Sequence, residues 1–375
     1  MSIPHDESFG DNSVPACPAL AALGWDGGWA GQMEPYLGRG WEPARVVCEH
    51  RGAYVAAGAS GELWAELSGR FRHEHPARAE WPAVGDWVMV SPRAEEGAAT
   101  VQAVLPRRSR FSRTAAGDRT EEQVVAANVD VVFLVSGLDG DFNVRRLERY
   151  LTVAWDSGAR PVVVLNKADL CADADARAAE AEAAAPGAPV VVLSAATGGG
   201  VEALRALVPP GATGALLGSS GVGKSSLVNA LLGRERQAVR AVRADDSRGR
   251  HTTTHRELIP LPGGGLIMDT PGMRELQIWS ADDDGLETAF ADVEALAARC
   301  RFDDCTHENE PGCAVRAALE DGTLKPDRFR SYAKLRREIR YQELRQDQSA
   351  RHIEKTRWRG IAKEIRRIER DKGWR

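Results

Sequence analysis

The pattern of apolar and polar positions in residues 43–113 is typical of a small β-barrel. Short alternating runs, among them ARVVCEH, ELWAEL and GDWVMVS, are separated by Gly, Pro and charged residues. Alternation with a period of two predicts strands with one buried face, and the turn residues divide the region into five of them. Five short strands are enough to close a barrel.

Residues 114–281 show a different pattern, in which continuous apolar runs alternate with helical stretches. The runs include VDVVFLVSGL, PVVVLNKADL and GGLIMDTPG, and helical periodicity appears between them, as in RRLERYLTVAWDSG. Strands that are apolar on both faces belong to parallel sheets that are covered by helices. The pattern therefore predicts a central, doubly wound α/β domain.

The two ends of the chain carry no strand pattern. Residues 1–42 are rich in Gly, Pro and isolated Trp without a period, which predicts an irregular leader. Helical patterns take over after the α/β region and predict a helical domain over residues 282–345. In residues 346–375, apolar side chains recur at helical spacing among many Arg and Lys, which predicts a basic amphipathic tail.

Charge is unevenly distributed along the chain. The formal net charge of the 375 residues is -5, yet the segment from Lys325 to the C-terminus holds 18 Lys or Arg against 8 Asp or Glu. A basic arm on an acidic body favours a polyanionic partner, and a plain solvated helix face is the alternative. A second basic stretch, LPRRSRFSR, joins the barrel to the α/β domain. It is interpreted either as a contact for a polyanion or as a solvated linker. Its arginines are Arg107, Arg108, Arg110 and Arg113.

The chain lacks the features of a membrane or secreted protein. No apolar run approaches the roughly 18 residues of a membrane span. The first residues, MSIPHDESFG, are acidic and polar, where a signal peptide would be basic and then apolar. Three of the six cysteines stand alone, which does not suit a disulfide framework. We therefore expect a cytoplasmic protein with no membrane partner.

A phosphate-binding loop follows the apolar run ALL and precedes the helical stretch SLVNALLG. The pattern is G-x-x-x-x-G-K-[ST], in which glycines let successive N–H groups face phosphate. Lys224 would reach the outer phosphates, and the Ser225 hydroxyl would coordinate Mg²⁺. A chance glycine-rich turn is the alternative, against which the strand, loop and helix context argues. The predicted nucleotide-binding residues are Gly218, Ser219, Ser220, Gly221, Val222, Gly223, Lys224, Ser225 and Ser226.

A second motif predicts that the base is guanine. Asn166, Lys167 and Asp169 match N-K-x-D at the end of a buried strand. The carboxylate can accept hydrogen bonds from both the N1–H and the exocyclic amine of guanine, and adenine lacks that pair of donors. Ser194 and Ala195, which follow the run PVVVL, resemble a short element whose backbone supports the base.

Two further elements are typical of a nucleotide switch. Asp269 and Gly272 belong to DTPG at the end of the run GGLIM, where the carboxylate can hold Mg²⁺ through water and the glycine N–H can meet the γ-phosphate. Thr252 or Thr253, in GRHTTTHRE, would supply a second hydroxyl to Mg²⁺, and a plain edge strand is the alternative for this segment.

The residue that orients the attacking water is harder to predict. Many GTPases place a Gln directly after the glycine of D-x-x-G, and this chain has Met273 there. A thioether cannot orient water, so intrinsic hydrolysis should be slow or depend on another group. His251 is the best internal candidate for the catalytic residue, and a structural surface histidine is the alternative.

These nucleotide motifs occur in a rotated order. Base recognition comes first, at residues 166–169 and 194–196, and is followed by the phosphate loop, the threonines and D-x-x-G. The same sheet can form from a chain that is cut elsewhere, provided that the original termini were exposed and close together. We interpret the domain as a circularly permuted P-loop GTPase.

A cluster of cysteines and one histidine predicts a metal site. Cys300, Cys305, His307 and Cys313 read C-x₄-C-x-H-x₅-C. Three thiolates and one imidazole make a closed tetrahedral Zn²⁺ site without an open position for water, so its role would be structural. A reactive thiol cluster is the alternative.

The combined motifs resemble the ribosome-small-subunit-dependent GTPase A family, known as RsgA, YjeQ or YloQ. The rotated order, GSSGVGKSSLVNAL, GRHTTTHREL, DTPGMREL and CRFDDCTHENEPGCAV carry the resemblance, which covers about residues 43–330. It implies an N-terminal OB-fold barrel, a permuted GTPase domain and a zinc-binding helical domain. It also implies that the GTP form binds 16S rRNA on the 30S subunit during late maturation, that the subunit stimulates hydrolysis, and that the GDP form leaves.

The resemblance bears on several details. His251 is similar to a histidine proposed to act in hydrolysis in this family, while Gly221 occupies a slot where potassium-activated relatives have Asn. The cofactors implied are GTP or GDP, Mg²⁺ and one structural Zn²⁺. We expect a monomer that does not bind DNA. A nucleotide-gated RNA-binding or scaffold protein with incidental hydrolysis is the alternative function.

Overall fold

The computed structural model describes residues 17–50, 52–93, 96–114, 121–233, 256–269 and 284–344. The predicted basic tail, residues 346–375, and the first 16 residues lie outside these ranges. Among the helices within them, none combines the length and the apolar character needed to cross a bilayer.

The leader is more regular than its composition suggests. An irregular segment was predicted for residues 1–42, whereas α1 (Pro18–Ala22) and α2 (Gly27–Met33) lie in its described part. Asp26 caps α2 by accepting hydrogen bonds from its first backbone N–H groups. The leader buries Trp29 against Trp87 of the barrel. Isolated aromatic residues have no helical period, so the sequence pattern gave no sign of this tertiary contact.

The N-terminal barrel contains the five predicted strands, together with α3 (Gly69–Glu74). The strand order is β1-β2-β3-β5-β4, and β4 pairs again with β1, which closes the barrel. Closure removes the exposed edges of the sheet. The strands are β1 (Glu42–Glu49), β2 (Tyr54–Gly58), β3 (Gly61–Leu67), β4 (Trp87–Arg93) and β5 (Ala98–Val104).

A hairpin connects the barrel to the α/β domain. It pairs β6 (Arg110–Thr114) with β7 (Glu122–Ala127) and spans the predicted boundary at residue 113. Phe111 of β6 and Val125 of β7 lie in the same apolar core as the α/β sheet. The hairpin therefore packs with the domain that follows it.

The central domain is the predicted three-layer α/β unit. Its strand order is β10-β9-β8-β11-β13-β12, and every neighbouring pair is parallel except β12 with β13. Apolar cores cover both faces of the sheet. The strands are β8 (Val131–Gly137), β9 (Arg160–Asn166), β10 (Val190–Val192), β11 (Thr213–Leu217), β12 (Arg256–Pro260) and β13 (Leu266–Asp269). The helices are α4 (Val144–Asp156), α5 (Ala174–Ala184), α6 (Val201–Ala206) and α7 (Lys224–Leu232).

The barrel and the α/β sheet form one continuous sheet of 11 strands. Strand β12 pairs with β1 through Cys48–Glu257 and Glu49–Arg256. Arg256 also donates to the Glu49 carboxylate at 2.5 Å. The two domains are therefore joined by backbone hydrogen bonds as well as by packing.

Arg45 of β1 forms hydrogen bonds with three parts of the chain. Its guanidinium donates to the carbonyls of Leu23 in the leader, Gly85 in the barrel and Asn128 in the α/β domain, and to the Thr213 hydroxyl. The side chain is fully buried, and burial lowers its pKa to about 10. It thus remains charged at neutral pH, with its N–H groups directed at oxygen atoms.

The arginines of the basic stretch are partly engaged inside the protein. Arg107 makes a bidentate contact with the buried carboxylate of Asp86, at 2.7 and 2.8 Å. Arg108 pairs with Asp26 of the leader at 2.6 Å. Neither a polyanion contact nor a solvated linker describes Arg107, because only 13% of its side chain is exposed. Sequence could not reveal this, since the partner carboxylate lies 21 residues away.

The C-terminal part is helical, as predicted. It contains α8 (Asp284–Ala289), α9 (Ala291–Ala297), α10 (Ala314–Glu320) and α11, whose described part covers residues 326–344. Phe290, Tyr332 and Ile339 are buried in a core shared with the α/β domain. The helical domain is thus packed directly onto α4 of the central domain.

Candidate functional site

The predicted nucleotide-binding residues meet at one edge of the central sheet. The phosphate loop follows β11, and the N-K-x-D motif follows β9, with β8 between these two strands. All three strands are parallel, so their carboxyl ends lie at the same edge. Ligands of open α/β sheets bind at this edge, between neighbouring strands.

The phosphate loop has the backbone that a phosphate cradle requires. Gly221 and Gly223 have φ values of +82° and +97°, a region that L side chains rarely adopt. A Cβ on Gly218 would lie 2.4 Å from the Val135 carbonyl oxygen. Lys224 begins α7 and folds its Nζ back over the loop, donating to the Gly218 and Ser219 carbonyls at 2.6 Å. The lysine head therefore lies over the phosphate loop.

Exposure differs between the residues of the loop. The Val222 side chain is buried in the apolar core beneath the loop. Ser220 and Gly221 are exposed, and Ser225 and Ser226 are half-buried in the first turn of α7. This arrangement leaves the polar face of the loop accessible to a ligand.

The base-recognition motif is joined to the phosphate loop by direct hydrogen bonds. Asn166 donates from Nδ2 to the Val222 carbonyl at 2.8 Å, and its Oδ1 accepts from the Ala195 N–H at 3.0 Å. Lys167, whose backbone is left-handed, donates from Nζ to the Gly221 carbonyl at 2.7 Å. Three segments that are distant in sequence thus form one connected surface.

The predicted guanine-reading carboxylate is exposed. Asp169 lies in a short 3₁₀ turn, Ala168–Leu170, directly after Lys167. The Ala168 N–H donates to the Leu193 carbonyl at 3.1 Å, which ties this turn to the segment that contains Ser194. Ser194 is buried, and its hydroxyl accepts from the Thr197 N–H. The two base-recognition elements are therefore adjacent.

The switch elements are only partly described. Asp269 ends β13, which lies beside β11 in the sheet, so it falls at the same edge as the phosphate loop. The predicted catalytic His251, the threonines Thr252 and Thr253, and Gly272 lie outside the described residues.

Sequence reasoning missed two carboxylates at this edge. Asp139 and Asp141 belong to the loop after β8, between the phosphate loop and the N-K-x-D motif. The Asp139 carboxylate pairs with Lys167, and the Asp141 carboxylate accepts from the Ser219 hydroxyl at 2.9 and 3.0 Å. Their position at the carboxyl end of a central parallel strand was a readable signal.

The predicted metal ligands converge in the helical domain. The ligand atoms of Cys300, Cys305, His307 and Cys313 all lie within 4.8 Å of one another. His307 Nδ1 is 3.6 Å from the Cys300 sulfur and 3.5 Å from the Cys313 sulfur, and those sulfurs are 3.9 Å apart. Tetrahedral zinc with bonds of about 2.3 Å to sulfur needs sulfur–sulfur distances of about 3.8 Å. The cluster is therefore compatible with zinc.

A carboxylate organises the loop that carries these ligands. Glu310 accepts from the Thr306 hydroxyl at 2.5 Å and from the backbone N–H groups of Thr306, Glu308 and Asn309 at 2.9 to 3.0 Å. The hydrogen bonds from Thr306 are the main reason that the pKa of Glu310 falls to about 2. The loop also holds His307 in a left-handed conformation, with φ of +64°.

The chain is similar to proteins of one family. Residues 104–279 match the family described as RsgA GTPase. The chain is 53% identical over 362 residues to the small ribosomal subunit biogenesis GTPase RsgA of Opitutus terrae, covering 94% of this chain and 99% of that protein. It is 44% identical over 361 residues to the protein of the same name in Syntrophotalea carbinolica, with the same coverage of 94% and 99%.

Solved structures show the same architecture. The crystal structure of YjeQ from Thermotoga maritima has a TM-score of 0.60 and 28% identity, and the match covers 80% of this chain and 98% of that one. The structure of YloQ, a circularly permuted GTPase, has a TM-score of 0.57 and 24% identity, over 80% of this chain and 95% of that one. The latter likeness concerns the fold alone.

Proposed function

The chain belongs to the RsgA GTPase family, and on this premise we propose that it hydrolyses GTP while bound to the small ribosomal subunit. In this proposal the GTP form docks on 16S rRNA of the 30S particle late in maturation, and the particle accelerates hydrolysis. The GDP form then leaves. The protein acts as a cytoplasmic monomer.

One observation carries the assignment of the nucleotide. Asn166 and Lys167 donate to two consecutive carbonyls of the phosphate loop, those of Val222 and Gly221. The groups that would read a base are thereby fixed relative to those that would bind phosphates. With Asp169 exposed beside them, the site fits a guanine nucleotide that bridges both elements.

The chain's own residues divide the chemistry among them. The N–H groups of the phosphate loop and the Lys224 ammonium bind the β- and γ-phosphates, where negative charge builds up during hydrolysis. Ser225 and Asp269 would hold Mg²⁺, together with Thr252 or Thr253. That ion would neutralise phosphate charge. Because no Gln follows the D-x-x-G glycine, His251 is our candidate for orienting the attacking water.

The helical domain has a structural role in this proposal. Cys300, Cys305, His307 and Cys313 would hold one Zn²⁺ in a closed site that leaves no position for water. The metal would fix the segments before α10 relative to α9. The helical domain would then move as a rigid body when the switch residues change conformation. The shape of the surface that it presents to the ribosome would stay the same.

Hydrolysis measurements test the proposed function. We expect purified protein to hydrolyse GTP slowly and 30S particles to raise the rate by about 100-fold or more. Substitution Lys224→Ala should remove this activity, ATP should not replace GTP, and 50S particles should have little effect. If the protein binds GTP but no ribosomal particle accelerates hydrolysis, it is a nucleotide-gated scaffold instead of a ribosome-stimulated GTPase.

Substitution Glu310→Ala is expected to weaken zinc binding by about 10- to 100-fold, because groups that orient metal ligands commonly contribute this much. The loop around His307 would lose the four hydrogen bonds that Glu310 accepts. A chromogenic chelator measures the rate of zinc release. Glu308→Ala removes a carboxylate from the same loop and should release zinc at the wild-type rate. Equal rates for both variants would show that Glu310 does not organise the site.

A further inference from the structure

We propose that Asp139 is a positioning residue for guanine-nucleotide binding, which it supports by holding Lys167 in place. This inference rests on the proposed function, because it concerns the same nucleotide site. Asp139 follows the central strand β8 and is not part of any nucleotide motif in the sequence. It does not itself reach the nucleotide in this proposal.

The contacts of Lys167 show how Asp139 would act. The lysine Nζ donates to two acceptors, the Asp139 carboxylate and the Gly221 carbonyl of the phosphate loop. The lysine stem is thus stretched from the base-recognition turn toward the phosphate loop. A flexible four-carbon side chain has many rotamers, and fixing both ends of it removes that freedom before a ligand binds.

The loop that carries Asp139 is itself anchored on both sides. The Leu138 N–H donates to the Asn166 carbonyl at 2.8 Å, which ties the start of the loop to the base-recognition strand. At the other side, Asp141 accepts from the Ser219 hydroxyl of the phosphate loop. The loop therefore holds Asp139 at a fixed place between the two halves of the site.

Backbone shape also favours this position of the carboxylate. A Cβ on Gly137 would lie 2.5 Å from Asp139 Oδ1, so the carboxylate folds back over a glycine at the end of β8. A larger residue at position 137 would displace it. The glycine thus leaves room for the Asp139 carboxylate at the end of β8.

Charge balance explains why carboxylates are tolerated beside a phosphate site. Unpaired negative charges here would repel a nucleotide, but each carboxylate has a cationic partner. Asp139 pairs with Lys167, and Asp141 pairs with Arg146 at 2.7 Å. With 19% and 31% of their side chains exposed, Lys167 and Asp139 are partly shielded from solvent, which strengthens their interaction.

The test compares nucleotide affinities in a double-mutant cycle. We expect Asp139→Ala to raise the Kd for GDP and GTP by about tenfold, mainly through faster dissociation of a fluorescent analogue. Because Asp139 acts through Lys167, adding Asp139→Ala to Lys167→Ala should cause no further loss. At saturating GTP the 30S-stimulated kcat should stay at the wild-type value while KM rises. Asp139→Asn, which keeps the side-chain size, should show a smaller loss.

A matched control uses Asp173, an exposed carboxylate that follows the same base-recognition turn and makes no side-chain capping bond. Asp173→Ala should bind nucleotide like the wild type. If Asp139→Ala also binds like the wild type, or if its effect is undiminished in the Lys167→Ala background, the inference is wrong. If the wild-type protein binds no guanine nucleotide, the proposed function fails instead, so the two failures are distinguishable.

Discussion

Substitution Gly223→Ala is expected to abolish tight guanine-nucleotide binding. A Cβ at this position would lie 2.3 Å from Nδ2 of Asn166, far inside the contact distance. Asn166 is only 1% exposed and is held by Val222 and Ala195, so it cannot move aside without breaking both hydrogen bonds. Losing two buried hydrogen bonds costs about 3 kcal/mol, which corresponds to an affinity loss of more than about 100-fold.

The same helix provides a control for backbone strain. Gly233 lies at the other end of α7 and also has a left-handed backbone, with φ of +65°, but a Cβ there would meet nothing within 4 Å. Gly233→Ala should therefore lower stability by about 1 kcal/mol and leave nucleotide affinity unchanged. Titration with a fluorescent GDP analogue, together with thermal unfolding without nucleotide, separates the two effects. Wild-type affinity in Gly223→Ala would show that the contact between the motifs is unimportant.

The contact between Asn166 and the phosphate loop also explains why a permuted order is tolerated. The side chains of the base-recognition motif meet the loop in space, 56 residues later in the chain. Their geometry depends on the neighbouring strands β9, β8 and β11, all of which are parallel. The sheet fixes these positions whichever strand comes first, so the rotated motifs can rebuild the same site.

Local patterns predicted the features that depend on nearby residues. The phosphate loop, N-K-x-D and the cysteine cluster are recognisable because their chemistry needs fixed residue types at short spacing. The alternating and continuous apolar runs likewise predicted the barrel and the α/β sheet, which the structure confirms. Each of these signals lies within a few dozen consecutive residues.

Features that depend on distant partners were not predictable in the same way. In the leader, Trp29 packs on Trp87 of the barrel. Arg107 is largely buried, where it donates hydrogen bonds to the Asp86 carboxylate. Nothing in the local sequence states that these residues will meet. The place of Asp139 at the end of β8 was a readable signal, but its pairing with Lys167 was not, because the lysine lies 28 residues further along the chain.

A buried arginine links the helical domain to the GTPase domain. Arg328 of α11 donates to Glu148 of α4 at 3.1 Å, to Asp292 of α9 at 2.8 Å and to the Ala289 carbonyl at 2.7 Å. Its guanidinium also lies over the Phe290 ring, 4.2 Å from the centroid. Burial opposes the charged form, but the hydrogen bonds that Arg328 donates to Asp292 and Glu148 outweigh this effect, so the pKa of Arg328 is raised.

Substitution Arg328→Met is therefore expected to destabilise the protein by about 3 kcal/mol, because removing one partner of a buried network leaves its acceptors unpaired. The measurement is urea unfolding followed by circular dichroism and by zinc release. Arg330→Met is the matched control, since Arg330 lies on the same helix with 75% of its side chain exposed and pairs only with Asp327 among the contacts described. Exposed pairs contribute less than about 1 kcal/mol, so that variant should unfold like the wild type.

GDP affinity and stimulation by 30S particles should show whether this interface also matters for function. Helix α4 begins beside the loop that contains Asp141, and its Glu148 pairs with Arg328 of the helical domain. This helix therefore connects the nucleotide site to the helical domain. If Arg328 only stabilises the protein, Arg328→Met should keep wild-type GDP affinity and wild-type stimulation by 30S particles at low temperature, where it is folded. Lost stimulation with unchanged GDP affinity would show that the interface also matters for function. Stability equal to that of Arg330→Met would show instead that the helical domain is held by its apolar core alone, without a contribution from the buried charges.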